Sequence, residues 1–196
     1  MFLFRSVIFY PLAALVAAGL ILISLGPQPW APRAPASQSG APGQDGAVVF
    51  GPSALAGIDA GAHHIVFSPR NARGAASTLH IAVKKGAPLT PTPTERGARL
   101  MLNSETANRF GGQPVRVDVL IRPAPIASAP EIAVSWQGSE PVTIWSQAET
   151  GTEEKTLSFT LPAATAPQAI GLYVINPSAN EAFAVEIGEI HLSPAR

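Results

Sequence analysis

The sequence predicts an all-β protein: a single antiparallel β-sandwich preceded by one N-terminal transmembrane helix and a flexible linker. Three observations lead to this prediction. A charge-free apolar run fills residues 7–25, a stretch rich in Pro, Ala and Gly follows it, and the remaining chain alternates apolar with polar residues. We therefore assign residues 1–25 to a membrane anchor, 26–46 to the linker and 47–196 to the sandwich.

The apolar run has the length of a membrane-spanning helix. Its nineteen residues would extend about 28 Å as a helix, which matches the hydrocarbon core of a bilayer. Arg5 before the run and Trp30 after it are residue types that favour the membrane interface. A cleaved signal peptide, which would leave a secreted β-sandwich, is the alternative. The only A-x-A segment near the run that could serve as a cleavage site, residues 34–36, has Pro at its centre, and this favours a retained anchor.

The charges that flank the run predict its orientation. Arg5 and the amino terminus precede the run, and Arg33 is the first charge after it, so the N-terminus is expected on the cytoplasmic side. We expect a single-pass protein of the bacterial inner (cytoplasmic) membrane whose C-terminal domain is periplasmic. The absence of Cys is compatible with that compartment. The linker, composed mainly of Pro, Ala, Gly, Ser and Gln, is predicted to be an extended tether.

The remaining chain carries the two-residue period of half-buried β-strands. In residues 115–122, Val and Ile alternate with Arg116, Asp118 and Arg122, which places the charged side chains on an outer face. Gly188 lies where the alternation changes phase, and this predicts a β-bulge. A short helical turn is expected around residues 104–108. The same period occurs in Ile65/Phe67, Leu79/Ile81/Val83, Leu100/Leu102, Ile132/Val134/Trp136, Leu157/Phe159/Leu161 and Phe183/Val185/Ile187.

Four segments resemble the jelly-roll sandwiches of the galactose-binding-like and carbohydrate-binding-module superfamily. They are residues 110–122, a strand that ends in Trp136, the strand at residues 156–162, and the closing strand at residues 184–192. The resemblance implies a jelly-roll β-sandwich, with Glu186 or Glu189 as the acidic residue that such sandwiches commonly carry in the last strand. Many unrelated functions share these motifs, so the resemblance concerns the fold.

The sequence offers little support for catalysis, cofactors or metals. There is no Cys, and the four His residues show no metal-ligand spacing. Adjacent His63 and His64 on a strand would point to opposite faces. The serine-hydrolase motif G-x-S-x-G is absent. Thirteen basic and thirteen acidic residues leave no net charge, which argues against nucleic acid as a partner. We therefore expect a protein that is not an enzyme and has no cofactor.

Binding is the function that the sequence favours, and carbohydrate is the first ligand class. Trp145 and Tyr173 are expected on a different face from their apolar neighbours, and an exposed aromatic ring on a sheet can stack on a sugar. Arg116, Asp118, Arg122 and Glu186 could hydrogen-bond sugar hydroxyls. Whether Trp145 belongs to the core or to the surface stays open.

The alternative is an accessory or scaffolding subunit that docks on a larger membrane or polysaccharide-export complex. An open face lined by Trp145 and Tyr173 would favour the glycan. If both are buried while an apolar patch covers another face, docking is favoured.

Overall fold

The computed structural model describes residues 36–140 and 143–195. The predicted anchor and residues 26–35 of the predicted linker lie outside the described residues. Within them, no helix is long and apolar enough to cross a membrane. The helical segments are α1 (Pro52–Leu55), α2 (Ser104–Phe110) and one 3-10 turn (Gln44–Gly46). The Asn103 side chain caps α2 by accepting the Thr106 N–H at 2.9 Å, as expected for an N-cap residue.

Eleven strands in the described residues form two antiparallel sheets, so the all-β prediction is confirmed. In the larger, seven-stranded sheet, β11 pairs with β6 along one edge, and β9 pairs with the far edge of β6. Along its other edge, β11 pairs with β4 through residues 184–187 and with β2 through residues 190–192. β4 in turn pairs with β3, and β2 pairs with β1. The smaller sheet has the order β5-β10-β7-β8. The strands are β1 (Ala41–Pro42), β2 (Val48–Phe50), β3 (His64–Phe67), β4 (Leu79–Val83), β5 (Ala98–Met101), β6 (Val115–Pro123), β7 (Glu131–Gln137), β8 (Ser146–Glu149), β9 (Lys155–Leu161), β10 (Ala169–Ile175) and β11 (Ala184–Pro194).

Side chains from both sheets meet in one apolar core. Val115, Val117, Val119 and Ile121 of β6 are fully buried, as their alternation predicts. Residues of β7 and β10, in the smaller sheet, belong to the same cluster, and Trp136 lies there as expected. The shared core makes the two sheets a sandwich.

The β-bulge predicted at Gly188 is confirmed, because the pairing of β11 with β6 shifts register between Ile187 and Glu189. A Cβ atom at position 188 would lie 2.9 Å from the Leu120 side chain. A larger residue would therefore be crowded at the point where β11 changes the face that its side chains occupy.

The phase of β3 is opposite to the one that the sequence suggests. His64 and Val66 face inward, opposite Val83 and Ile81, whereas Ile65 and Phe67 are 52% and 51% exposed. The assignment of Ile65 and Phe67 to the buried face is therefore wrong. Alternation does not determine which face is buried when both sets of positions contain a large side chain.

The described domain also includes part of the predicted linker. The Gln38 N–H donates to the Met101 carbonyl at 2.7 Å, and β1 pairs with β2. These residues belong to the same compact unit as the sandwich. Short backbone pairing thus attaches the second half of the 26–46 segment to the sandwich, although its composition lacks the apolar residues of a core.

Candidate functional site

The six predicted site residues lie on the outer faces of two different sheets. Arg116, Asp118 and Arg122 on β6, together with Glu186 on β11, are on the outer face of the seven-stranded sheet. Tyr173 on β10 and Trp145, just before β8, are on the outer side of the four-stranded sheet. The structure therefore brings the four charged residues onto one face and separates them from the two aromatic ones.

Tyr173 does lie on a different face from Leu172 and Val174, because it belongs to a separate apolar cluster with Ala133 and Ile175. Its side chain is nevertheless fully buried, so the expectation that it is exposed is wrong. Burial, together with the negative charge of Glu95, raises the pKa of the Tyr173 hydroxyl to about 12.

The reason for this burial is a loop that lies over the outer side of the smaller sheet. We call residues 84–97, between β4 and β5, the cover segment. Its Pro88 carbonyl accepts the Tyr173 hydroxyl at 2.8 Å, and its Leu89 carbonyl accepts the Asn176 N–H at 3.0 Å. Further along the cover segment, the Arg96 carbonyl accepts a side-chain N–H of Gln137 at 2.8 Å. These bonds attach the loop to the sheet and exclude ligands from Tyr173.

Trp145 contributes to the same layer. Its ring is half-buried and meets the Tyr173 ring edge-on, with centroids 5.8 Å apart. The backbone of Gly97 in the cover segment approaches the Trp145 ring so closely that a Cβ atom would lie 2.9 Å from it. Trp145 is thus part of the covering layer and does not form an open platform.

An exposed aromatic ring does occur on the other outer face, in a row that crosses the seven-stranded sheet. Phe67 on β3 lies opposite His80 on β4, His80 opposite Glu186, and Glu186 opposite Arg122. The Phe67 and His80 rings are stacked, with centroids 4.4 Å apart and planes at 29°. The Arg122 guanidinium donates to the Glu154 carboxylate next to β9. We call these five residues the aromatic row.

Polar side chains within the aromatic row lie close to one another. His80 Nδ1 lies 3.8 Å from a carboxylate oxygen of Glu186, and Arg122 is paired with Glu154. The row therefore presents fixed hydrogen-bonding groups beside an aromatic ring without a large excess of either charge.

Arg116 and Asp118 lie toward the other end of β6. They form an ion pair with Arg116 Nε 2.9 Å from an Asp118 oxygen, and Arg116 also donates to the Ser158 hydroxyl at 3.0 Å. Both line a polar depression of about 370 Å³ that includes Asp45 and Ser193. The described residues that line this depression include no aromatic side chain, which distinguishes it from the aromatic row.

A groove with mostly apolar lining overlaps the Phe67 end of the row. Its volume is about 380 Å³, and Phe67, His80 and Glu186 line it together with Pro125 and Ile126, among others. Ile126 is 84% exposed. Its loop is attached to the start of β11, where the Ala184 N–H donates to the Ala127 carbonyl at 2.9 Å.

Sequence reasoning missed Phe67 and His80 as site residues. Their pairing depends on the phase of β3 and on the register between β3 and β4, neither of which the alternation determines. Across the described residues, no group of three or more His, Cys, Asp or Glu side chains could hold a metal ion.

Comparison with known proteins yields similarity to solved structures alone, since no protein-family model and no curated protein matches the chain. A family 29 carbohydrate-binding module from Piromyces equi has a TM-score of 0.43 and 15% identity, with 74% of this chain and 90% of that one covered. The apo structure named BiXyn10A CBM1 has a TM-score of 0.42 and 10% identity, over 75% and 96% of the two chains. Both of these structures are named as carbohydrate-binding modules. Similarity at this level does not determine what the chain binds.

Proposed function

We propose that this chain is a non-catalytic, membrane-anchored protein of the bacterial envelope whose β-sandwich binds a carbohydrate on the outer face of the seven-stranded sheet. The single observation that carries the proposal is the aromatic row, in which the exposed Phe67 ring continues into His80, Glu186 and Arg122. The binding platform differs from the one that the sequence suggested, because Phe67 replaces Trp145 and Tyr173, while Arg122 and Glu186 are retained.

The chemistry of the row suits a sugar ring. The apolar C–H face of a pyranose can stack on Phe67, which is half-exposed, while hydroxyls at the ring edge hydrogen-bond to polar side chains. Glu186 and Arg122 already have protein partners, so their orientation is partly fixed before a ligand arrives. Because the charges of Arg122, Glu154 and Glu186 nearly cancel, a neutral carbohydrate fits the row better than a strongly charged one.

A glycan array probed with the full-length chain in detergent micelles tests this proposal. Phe67→Ala should weaken binding to any retained glycan by tenfold or more, that is, by about 1.4 kcal/mol. Trp145→Ala is the matched control, because Trp145 belongs to the covered side and should leave binding unchanged. Undiminished binding by Phe67→Ala, or loss of binding confined to Trp145→Ala, would contradict the proposed platform.

Docking on a membrane-protein complex is the second candidate function. Tyr173 is buried, Trp145 is half-buried and an apolar groove lies on the other outer face, which is close to the arrangement that the sequence analysis associates with docking. Ile65 and Ile126 are 52% and 84% exposed, and neither side chain can hydrogen-bond a sugar. Exposed apolar side chains around a groove are typical of a protein contact. A defined complex that copurifies with the chain in mild detergent, and that is lost in Ile126→Ser but kept in Arg122→Gln, would favour docking over glycan binding.

The anchor and the location of the domain belong to the same proposal. They rest on the apolar run at residues 7–25 and on the flanking charges. Retention of the full-length chain in membranes after a high-pH carbonate wash, with the sandwich accessible to protease from the periplasmic side, is the expected result. Release of a chain that starts downstream of residue 25 would instead support the secreted, signal-cleaved alternative.

A further inference from the structure

A buried histidine links the two sheets beside the cover segment. His64 on β3 is 1% exposed. Its Nε2 accepts the Val174 N–H of β10 at 3.3 Å. β5 pairs with residues 169–172 of β10 and ends before Val174. His64 therefore provides the hydrogen-bond acceptor for a β10 amide that β5 does not reach. The ring must be unprotonated at Nε2 to accept this bond.

The same ring is connected to the cover segment through Tyr173. The His64 and Tyr173 rings meet edge-on with centroids 4.7 Å apart, and the Tyr173 hydroxyl donates to the Pro88 carbonyl of the cover segment. His64 Nδ1 is buried and has no hydrogen-bond partner. A proton added to His64 would thus place a charge in an apolar site and remove the acceptor of the Val174 amide.

We propose that mild acid releases the cover segment, that His64 is the group that responds to pH, and that release uncovers Tyr173 and Trp145. The proposal is separate from carbohydrate binding on the aromatic row, because it concerns the other sheet. In the released state a ligand could reach Trp145 and Tyr173, the two aromatic residues that the sequence suggested as binding residues.

The sign of the pH effect follows from the surroundings of His64. Burial, then the positive charges of His63 and Lys84, lower the pKa of His64 from its ordinary 6.5 to about 4. A group with a depressed pKa in the closed state binds protons preferentially in the open state. The closed state is therefore fully favoured above pH 6.5, and it loses up to tenfold in equilibrium per pH unit as pH falls from 6.5 toward 4.

Two other groups lie near His64. His63 Nε2 lies 3.3 Å from a carboxylate oxygen of Glu95 in the cover segment. This pair is partly exposed at His63, so it contributes no more than about fivefold to the closed state. The Lys84 ammonium donates to the Ala62 carbonyl at 2.7 Å, which lies outside the cover segment.

Local release is favoured over unfolding of the whole sandwich. The cover segment contains no strand, and its side of the sheet has its own small apolar cluster of Ala133, Tyr173 and Ile175, with Trp145 packed against it. Segments with few buried apolar contacts open at lower cost than the ladders of the core.

Amide hydrogen exchange of the full-length chain in micelles tests the proposal. Two amides report on the cover segment: the Asn176 N–H, bonded to Leu89, and the Thr143 N–H, bonded to Pro93. After correction for intrinsic rates, their exchange should be about 4- to 20-fold faster at pH 5 than at pH 7, the lower value applying if the His63–Glu95 pair opposes release fully, while the amides of the β6–β11 ladder remain protected. Equal acceleration of the ladder amides, or no acceleration at Asn176 and Thr143, would overturn the proposal.

Substitution identifies the titrating group. His64→Gln keeps an acceptor for the Val174 amide but does not titrate, and it should abolish the acceleration. His80→Gln, on the opposite outer face, is the matched control and should preserve it. Acceleration that persists in His64→Gln would overturn the role of His64.

A second variant keeps the proposal testable if His64→Gln does not fold. Tyr173→Phe removes the bond to Pro88, so the two reporter amides should exchange about tenfold faster at pH 7 and retain the same dependence on pH. Unchanged exchange in Tyr173→Phe would overturn the role of Tyr173 as the link between His64 and the cover segment.

Discussion

The outer faces of the two sheets differ in what lies over them. On the seven-stranded sheet the aromatic row is accessible, with Phe67 half-exposed and its polar neighbours at the surface. On the four-stranded sheet the cover segment and Trp145 bury Tyr173 completely. The comparison shows that an aromatic residue on the outer side of a strand is accessible to a ligand only where no loop covers it.

The sequences of two strands already reflect this difference. β6 alternates Val and Ile with charged residues, and its outer face is accessible. All seven residues of β10 (Ala169–Ile175) are buried, and none is charged. A continuous apolar run is typical of a strand that is buried on both faces, and this signal could have indicated that Tyr173 is covered.

The largest expected effect is the loss of the buried ring on the covered side. Tyr173→Ala should lower the free energy of unfolding by about 3 to 5 kcal/mol, because it leaves a cavity in a closed cluster. Phe67→Ala on the open face should cost less than about 1 kcal/mol. Urea denaturation of the two variants measures the contrast, and equal losses would contradict the distinction between the two faces.

The close approach of the cover segment to the backbone of β10 can be tested by substitution of Gly97. This residue has φ +63°, and a Cβ atom would lie 2.4 Å from the Leu172 carbonyl oxygen. Gly97→Ala should therefore destabilise the domain by about 2 to 4 kcal/mol, from left-handed strain and from the clash together.

Gly74→Ala is the matched control for this substitution. Gly74 has φ +76°, with no atom within 4 Å of the added Cβ, so it should lose only the strain contribution of about 1 to 2 kcal/mol. Thermal denaturation of both variants checks the difference, and a larger loss at Gly74 would be inconsistent with a tightly packed cover.

Removal of a single hydroxyl group should have a smaller effect. Tyr173→Phe keeps the ring but loses the hydrogen bond to the Pro88 carbonyl, and we expect a loss of about 1 to 2 kcal/mol in the free energy of unfolding. Chemical denaturation measures it. A variant as stable as the wild type would show that this bond does not help to hold the cover segment.

The smallest effect is expected for the ion pair on the open face. Arg122 and Glu154 are both substantially exposed, so Arg122→Gln should change stability by no more than about 0.5 kcal/mol. A double-mutant cycle with Glu154→Gln measures the coupling between the two side chains. A coupling energy well above 1 kcal/mol would mean that the pair is more constrained than a surface pair.

Much of the fold could be predicted from local patterns. Alternation identified the inward residues of β6, the phase change of β11 predicted the bulge at Gly188, and polar capping chemistry is present at the helix after Asn103. These features depend on neighbours within a few residues, so the sequence carries them directly.

The candidate site could be predicted only in part. Arg122 and Glu186 were placed correctly on an outer face, but Phe67 was assigned inward and Tyr173 outward to solvent. Both errors concern contacts between residues far apart in the chain, since Tyr173 meets Pro88 and Phe67 meets His80 across strands.

The sequence alone determined the all-β class, the alternating faces of the strands and the apolar segment at residues 7–25, because each follows from the spacing of residue types along the chain. Only the tertiary structure decided which face of each sheet is open. That outcome depends on which surface the loop at residues 84–97 covers and on which set of β3 side chains is buried in the core. Neither is determined by the local spacing of residue types.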